Sequence, residues 1–147
     1  MERRRALLIG ITIFGEGLDN FSPTLEDVQV MKKCLEEKGG FEVILEENLD
    51  RKDMEYVINK FFYESQKSDT LLIYVSSHGI TDAEGNFYIA TSDTSYDRDT
   101  EIITGAIEAS YFHRQIKNCT SNSQVWLLDL CYSCLLYTSD AADEKVR

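Results

Sequence analysis

Residues 125–133 read Val-Trp-Leu-Leu-Asp-Leu-Cys-Tyr-Ser, an apolar run that closes on an acid, Asp129, with Cys131 two residues later. A short run of bulky residues without polar alternation predicts a strand buried on both faces, as in a parallel sheet covered by helices. Residues 70–79, Thr-Leu-Leu-Ile-Tyr-Val-Ser-Ser-His-Gly, have the same shape and close on His78. In an α/β sheet, ligands bind in the crevice beyond the carboxyl ends of the strands. A thiol placed there reaches a substrate, whereas a thiol inside the strand only packs. If the two strands are parallel neighbours, Cys131 and His78 emerge side by side. A cysteine nucleophile needs that arrangement, because its thiol is mostly protonated near neutral pH. An adjacent imidazole takes the proton or stabilises the thiolate.

The remaining chain alternates strand and helix patterns. Residues 6–14 predict a first strand, and 15–22 a polar loop. Ser22-Pro23 opens a helix, with serine as cap and proline at the first helical position, where its missing N–H costs nothing. Leu25, Val28, Met31, Cys34 and Leu35 share one face of that helix, and Gly39-Gly40 stops it. Phe41 to Leu45 predicts a second strand. Asp50 caps a second helix that turns Met54, Val57, Ile58, Phe61 and Phe62 inward. Strand three runs over 70–76. Asp82 to Asn86 reads as a turn, 87–90 as a short strand, 92–100 as a polar loop and 102–107 as another short strand or an extended segment. Residues 108–119 predict a helix burying Tyr111, Phe112 and Ile116, and 124–129 the fourth strand. This alternation argues for a mostly parallel α/β sheet with helices on both faces. No internal repeat or linker interrupts it.

The two motifs, Ser-His-Gly closing one strand and Asp-Leu-Cys-Tyr-Ser closing the next, resemble those of caspase-like cysteine peptidases, most closely the metacaspase and bacterial caspase-like branch. The usual patterns there are Gly-His-Gly and Asp-x-Cys-x-Ser-Gly. Cys131 follows His78 by 53 residues, against about 50 between the caspase histidine and cysteine. The resemblance covers residues 5–133, the catalytic, large-subunit half of such a domain. It implies a caspase-like three-layer α/β/α sandwich with a mostly parallel sheet, incomplete for want of its C-terminal strands. It also implies cysteine endopeptidase activity through an acyl-enzyme, with Cys131 as nucleophile and His78 as base. By the same resemblance the N–H groups of Gly79 and Cys131 form the oxyanion hole, where donors contribute a few kcal/mol.

Asp129 and Asp27 match two carboxylates that bind an arginine or lysine before the scissile bond in metacaspases. An arginine–carboxylate pair supplies both geometry and charge selectivity. Animal caspases, which cleave after aspartate, carry an arginine just before the first helix, and here Phe21 stands at that position. Cleavage after Arg or Lys is therefore expected.

Each residue also has a plainer reading. Cys131 could be a structural cysteine, His78 a satisfied strand-end histidine, and Asp27 a first-turn acid favourable to the helix dipole. Asp129 is harder to explain so, because an acid ending a buried run is costly without a role. Ser77 replaces the usual glycine and is expected to add bulk beside the base. His113 is expected at the surface. A signalling or scaffold module with little activity is the alternative function, but such modules usually lose the cysteine or histidine. A flavodoxin-like binding domain would need a phosphate loop, and residues 14–17 lack the Gly-x-Gly-x-x-Gly spacing.

Composition narrows the partners. A chain of 147 residues with 43% hydrophobic content and one proline is one folded domain's worth. A net charge of −11 argues against nucleic acid and favours basic peptides. No apolar run reaches membrane-spanning length. The charged-then-apolar start, 1–14, mimics a signal peptide but serves better as a first strand. Cys34, Cys119, Cys131 and Cys134 form neither a disulfide framework nor a metal pattern, so a reducing, cytoplasmic compartment is expected. No cofactor or metal site is expected. Calcium activation is known among metacaspases, and Asp93, Asp97 and Asp99 share one loop, but without EF-type spacing. Residues 134–144 resemble a translated sequencing adapter, with Cys134 where the family pattern has glycine. The native domain is therefore expected to span 1–133, the gene product to continue beyond it, and the fragment alone to be inactive. Oligomeric state is not legible in the sequence.

Overall fold

The computed structural model describes residues 2–20 and 23–131. The elements in chain order are β1 (Arg4–Gly10), α1 (Pro23–Gly39), β2 (Glu42–Glu47), α2 (Arg51–Tyr63), β3 (Thr70–Thr81), β4 (Phe87–Ile89), β5 (Ser95–Asp97), β6 (Ile102–Thr104), β7 (Ile107–Glu108), α3 (Ala109–Asn118) and β8 (Ser123–Cys131). The parallel part of the main sheet runs β2-β1-β3-β8, and an antiparallel extension runs from β3 through β4 to β7. β5 and β6 form a separate hairpin.

Two packed layers cover the sheet. One face buries Leu7, Ile9, Ile73 and Val75 against Met54, Ile58 and Phe61 of α2 and Tyr111 and Phe112 of α3. The other buries Ala6, Leu8 and Tyr74 under Val28, Leu25, Met31 and Leu35 of α1. This is the three-layer, mostly parallel α/β/α arrangement expected, and β1, flanked by β2 and β3, is fully buried from Ala6 to Ile9. No helix among the described residues is long and apolar enough to cross a membrane. On β8, Val125 and Leu127 are exposed while Trp126, packed on Phe62 and Phe112, faces the α2 and α3 layer.

Local chemistry explains two of the helix ends. Asp50 accepts from the Asp53 amide at 2.8 Å, the capping bond expected for α2. α1 ends at Gly39, and Gly40 takes φ +67°, the left-handed conformation that lets the chain turn into β2. The expected cap Ser22, and Phe21, lie outside the described residues.

Several expectations are corrected. β1 stops at Gly10 rather than Phe14, because the Asn48 side chain accepts from the amides of Thr12 and Ile13, at 2.7 and 3.2 Å, and draws the chain off the sheet. Ile13 is consequently exposed. β2 runs over Glu42–Glu47, shifted C-terminal of the expected 41–45 by its register with β1. Cys34 is exposed, since it sits one residue, or about 100° of rotation, from Leu35 on α1. Ile116 is 38% exposed because α3 meets the sheet through Tyr111 and Phe112 only. The polar loop 92–100 contains strand β5, which pairs with β6. β3 continues past Ser76 to Thr81 by antiparallel pairing with β4, and β8 reaches Cys131 rather than ending at Asp129.

The end of the sheet away from His78 is locked by Asp69. Its buried carboxylate accepts from Arg3 Nε and Nη2, at 3.0 and 2.7 Å, and from the Gln66 amide at 2.8 Å. Ser121 Oγ donates to the Asp69 carbonyl at 2.6 Å, so β1, β3 and the approach to β8 are tied at one point. The Arg3 hydrogen bonds hold the Asp69 carboxyl below its ordinary range, outweighing its burial. A depressed folded-state pKa contributes stability present above the unfolded pKa and lost as pH falls through the folded one. Urea unfolding should therefore show that Arg3→Ala destabilises more at pH 7 than at pH 2; equal losses would contradict the linkage.

Candidate active site

The register of β3 and β8 sets the site. The strands are parallel, and their Cα partners include Tyr74 with Leu127, Ser76 with Asp129 and His78 with Cys131. Register partners in a parallel pair share a face, and successive side chains alternate. Tyr74, Ser76 and His78 therefore lie on the same face as positions 127, 129 and 131. Cys131 is the last residue of β8, and its side chain is outside the described set. Both motif residues are thus the last described pair of the parallel ladder and belong to the strands rather than lying beyond them. β3 runs on through Gly79, which is buried and pairs with Ile89 of β4.

His78 is 2% exposed. Its Nε2 lies 2.8 Å from the Asp19 carbonyl oxygen. A carbonyl only accepts, so Nε2 carries a hydrogen and donates it to Asp19. The Phe14 ring packs against the imidazole at 4.5 Å between centroids. His78 also has its backbone carbonyl engaged by the Ala90 amide at 2.9 Å. The imidazole is thus held in place by a main-chain acceptor, an aromatic ring and the sheet.

Ser77 does not crowd the histidine. Alternation puts it on the opposite face, where its buried hydroxyl donates to the Ala90 carbonyl at 2.7 Å. The hydroxyl thereby strengthens the β3–β4 junction behind the base.

The loop 11–20 that supplies the Asp19 carbonyl is itself held by side chains. Asn48, at φ +53°, accepts from Thr12 and Ile13, and Asn20 accepts from the Phe14 amide at 3.1 Å. The Gly15 amide donates to the Thr94 carbonyl at 2.8 Å, and the Tyr96 amide to the Glu16 carbonyl at 2.8 Å. Gly17 has φ +89°, and a Cβ there would stand 1.8 Å from the Tyr96 carbonyl oxygen. Both the dihedral and the contact require glycine. Gly17→Ala should displace the loop and its Asp19 carbonyl while leaving the distant core folded. Imidazole 15N NMR of His78 reads this: a mixture of tautomers is expected, and an unchanged spectrum would contradict the role of the loop.

Asp129 is half-buried, and Tyr74 Oη donates to its Oδ2 at 3.1 Å. This bond satisfies the cost of placing an acid at the end of a buried run. Burial pushes the Tyr74 hydroxyl up to about 12, helped by the Asp129 charge and hydrogen bond and, more weakly, by the Asp27 charge. Asp27 is exposed on the first part of α1, one residue before the buried Val28 that packs in one cluster with Tyr74. The two acids therefore act electrostatically on one hydroxyl without touching each other. His113 is exposed on α3.

The acids of the 93–99 loop serve turns. Asp93 Oδ1 accepts from the Arg51 amide and Thr91 Oγ1, and Asp97 Oδ1 from the Asp99 and Thr100 amides. No cluster of three or more His, Cys, Asp or Glu suited to a metal occurs among the described residues. Tyr74, Asn48 and the Asp19 carbonyl were not singled out by the sequence. Tyr74 was within reach of it, lying four residues before His78 on the same strand face. A main-chain acceptor leaves no mark in a sequence.

No curated protein matches the chain. A scan against family models matches the caspase domain (Peptidase_C14) over residues 3–146, a span that includes positions 134–146 outside the described residues. The match covers nearly the whole chain, and the parallel sheet carrying His78 opposite Cys131 agrees with it: the protein belongs to the caspase-domain family of cysteine peptidases.

Proposed function

We propose that this chain carries the catalytic half of a cysteine endopeptidase that cleaves after arginine or lysine, with Cys131 as nucleophile and His78 as general base. The observation that carries the reading is the His78–Cys131 register at the end of the parallel ladder, with Asp129 two residues earlier on the same face. His78, hydrogen-bonded through Nε2 to Asp19, takes the thiol proton, and Cys131 Sγ attacks the scissile carbonyl. The C–N bond breaks as the imidazolium returns its proton to the leaving amine, giving an acyl-enzyme that water hydrolyses. The amides of Gly79 and Cys131 serve as donors to the tetrahedral oxyanion. Asp129 and Asp27 give the site the negative charge that a basic side chain needs, consistent with the net charge of −11. No cofactor enters this chemistry, and the partners are protein or peptide substrates bearing basic residues.

The test is hydrolysis of fluorogenic peptides ending in Arg, Lys or Asp by the intact gene product, with and without calcium. Cleavage after Arg or Lys supports the proposal. Cleavage after Asp would overturn the specificity, and a folded protein that cuts none would favour a scaffold role.

A further inference from the structure

Tyr74 stands out because packing alone does not explain its hydroxyl. The ring is 6% exposed and sits between the sheet and α1, in a cluster with Ala6, Leu8 and Val28. A phenylalanine would fill that space equally well. The hydroxyl instead reaches along the strand face to Asp129 Oδ2, past the Ser76 position that is the register partner of Asp129. Among the described residues it is the hydrogen-bond partner of that carboxylate. Because the hydroxyl ionises only near 12, it stays a donor throughout the working pH range.

A donor on Oδ2, mounted on a ring held by the core, fixes the plane of the carboxylate. It uses one lone pair and leaves the other acceptor sites of the two oxygens for a ligand. A fixed plane matters unequally to the two basic side chains. The guanidinium is a rigid planar fork that pairs edge-on with both oxygens, whereas an ammonium is a point charge on a flexible stem. We infer that Tyr74 is a positioning residue for Asp129 that makes the acidic pocket prefer arginine over lysine. The inference rests on the basic-residue pocket proposed above.

The experiment measures kcat and KM of the intact gene product on matched Arg and Lys peptides, for wild type and Tyr74→Phe. Losing a hydrogen bond to a charged group should lower kcat/KM for Arg about tenfold and for Lys at most about threefold. The loss should appear in KM, and iodoacetamide should alkylate Cys131 at the wild-type rate. A 4-aminophenylalanine placed at position 74 keeps a donor and should restore the Arg preference, which also covers a Tyr74→Phe protein that fails to fold. Equal losses for Arg and Lys, or slowed alkylation, would overturn the inference. So would an unchanged Arg:Lys ratio in a wild type that cleaves after both, which leaves the pocket itself standing. A wild type that cleaves after neither refutes the pocket and the inference together.

Discussion

Cys131→Ala in the intact gene product should lower kcat/KM on any cleavable peptide by at least about a thousandfold, because the proposed acyl intermediate forms on that thiol. His78→Ala should cost nearly as much, and the double variant little more than either single one. Residues that act as a unit are strongly non-additive. The two singles should differ in fold stability. His78 is buried, packed against Phe14 and bonded to Asp19, so its loss also loosens loop 11–20. His78→Gln, which keeps a donor for the Asp19 carbonyl but not a base, separates the effects. It should melt near the wild-type temperature and still be inactive. Residual activity in Cys131→Ala within about tenfold of wild type would remove the thiol from the mechanism.

Asp129→Asn is the second large effect. The amide can still accept from Tyr74 Oη, so the fold should be retained, but the negative charge is gone. Leaving a desolvated cation without its partner costs about 2–5 kcal/mol, so kcat/KM for Arg and Lys peptides should fall by about a hundredfold or more. Asp27→Asn should cost only a few-fold, because Asp27 is exposed and its interaction is screened. Measured on the same peptides, equal effects of the two substitutions would contradict the unequal burial of the acids. No effect of either would remove basic specificity from the account.

Much of this arrangement was legible in the sequence because hydrophobic periodicity and caps are local signals. The unbroken apolar runs at 71–75 and 125–128 marked strands, but only the first is covered on both faces, since Val125 and Leu127 leave one face of β8 exposed; Asp50 and Gly39-Gly40 marked helix boundaries where the structure has them. The errors lie where long-range partners decide. Asn48 takes Thr12 and Ile13 off the first strand from 36 and 35 residues away. β4, which the sequence reading placed correctly, also prolongs β3 beyond His78, a consequence that no local pattern within 70–79 encodes. β5 hides in the polar loop because it is three residues long with one apolar side chain, Tyr96, whereas its partner β6 falls in the extended segment expected over 102–107. In the site, the residue types that chemistry demands were visible by motif. Their supports were not: the Asp19 carbonyl is main chain, and Tyr74 looks like one more apolar residue in a buried strand.

The link from fold to site runs through strand register. Parallel pairing fixes which residue of β8 faces His78, and a slip of one position would carry Cys131 to the other face of the sheet. The Arg3–Asp69–Ser121 lock at the opposite end holds that register, so a stability feature far from the chemistry serves the site.

The central claim is most directly tested by covalent capture. The intact gene product would be treated with a peptidyl-arginine chloromethyl ketone and, separately, its aspartate counterpart, and the modified residue found by tandem mass spectrometry. The account predicts a thioether on Cys131 from the arginine reagent, absent in His78→Gln, and little labelling by the aspartate reagent. Labelling of Cys34 or Cys119 instead, or equal labelling by both reagents, would contradict it.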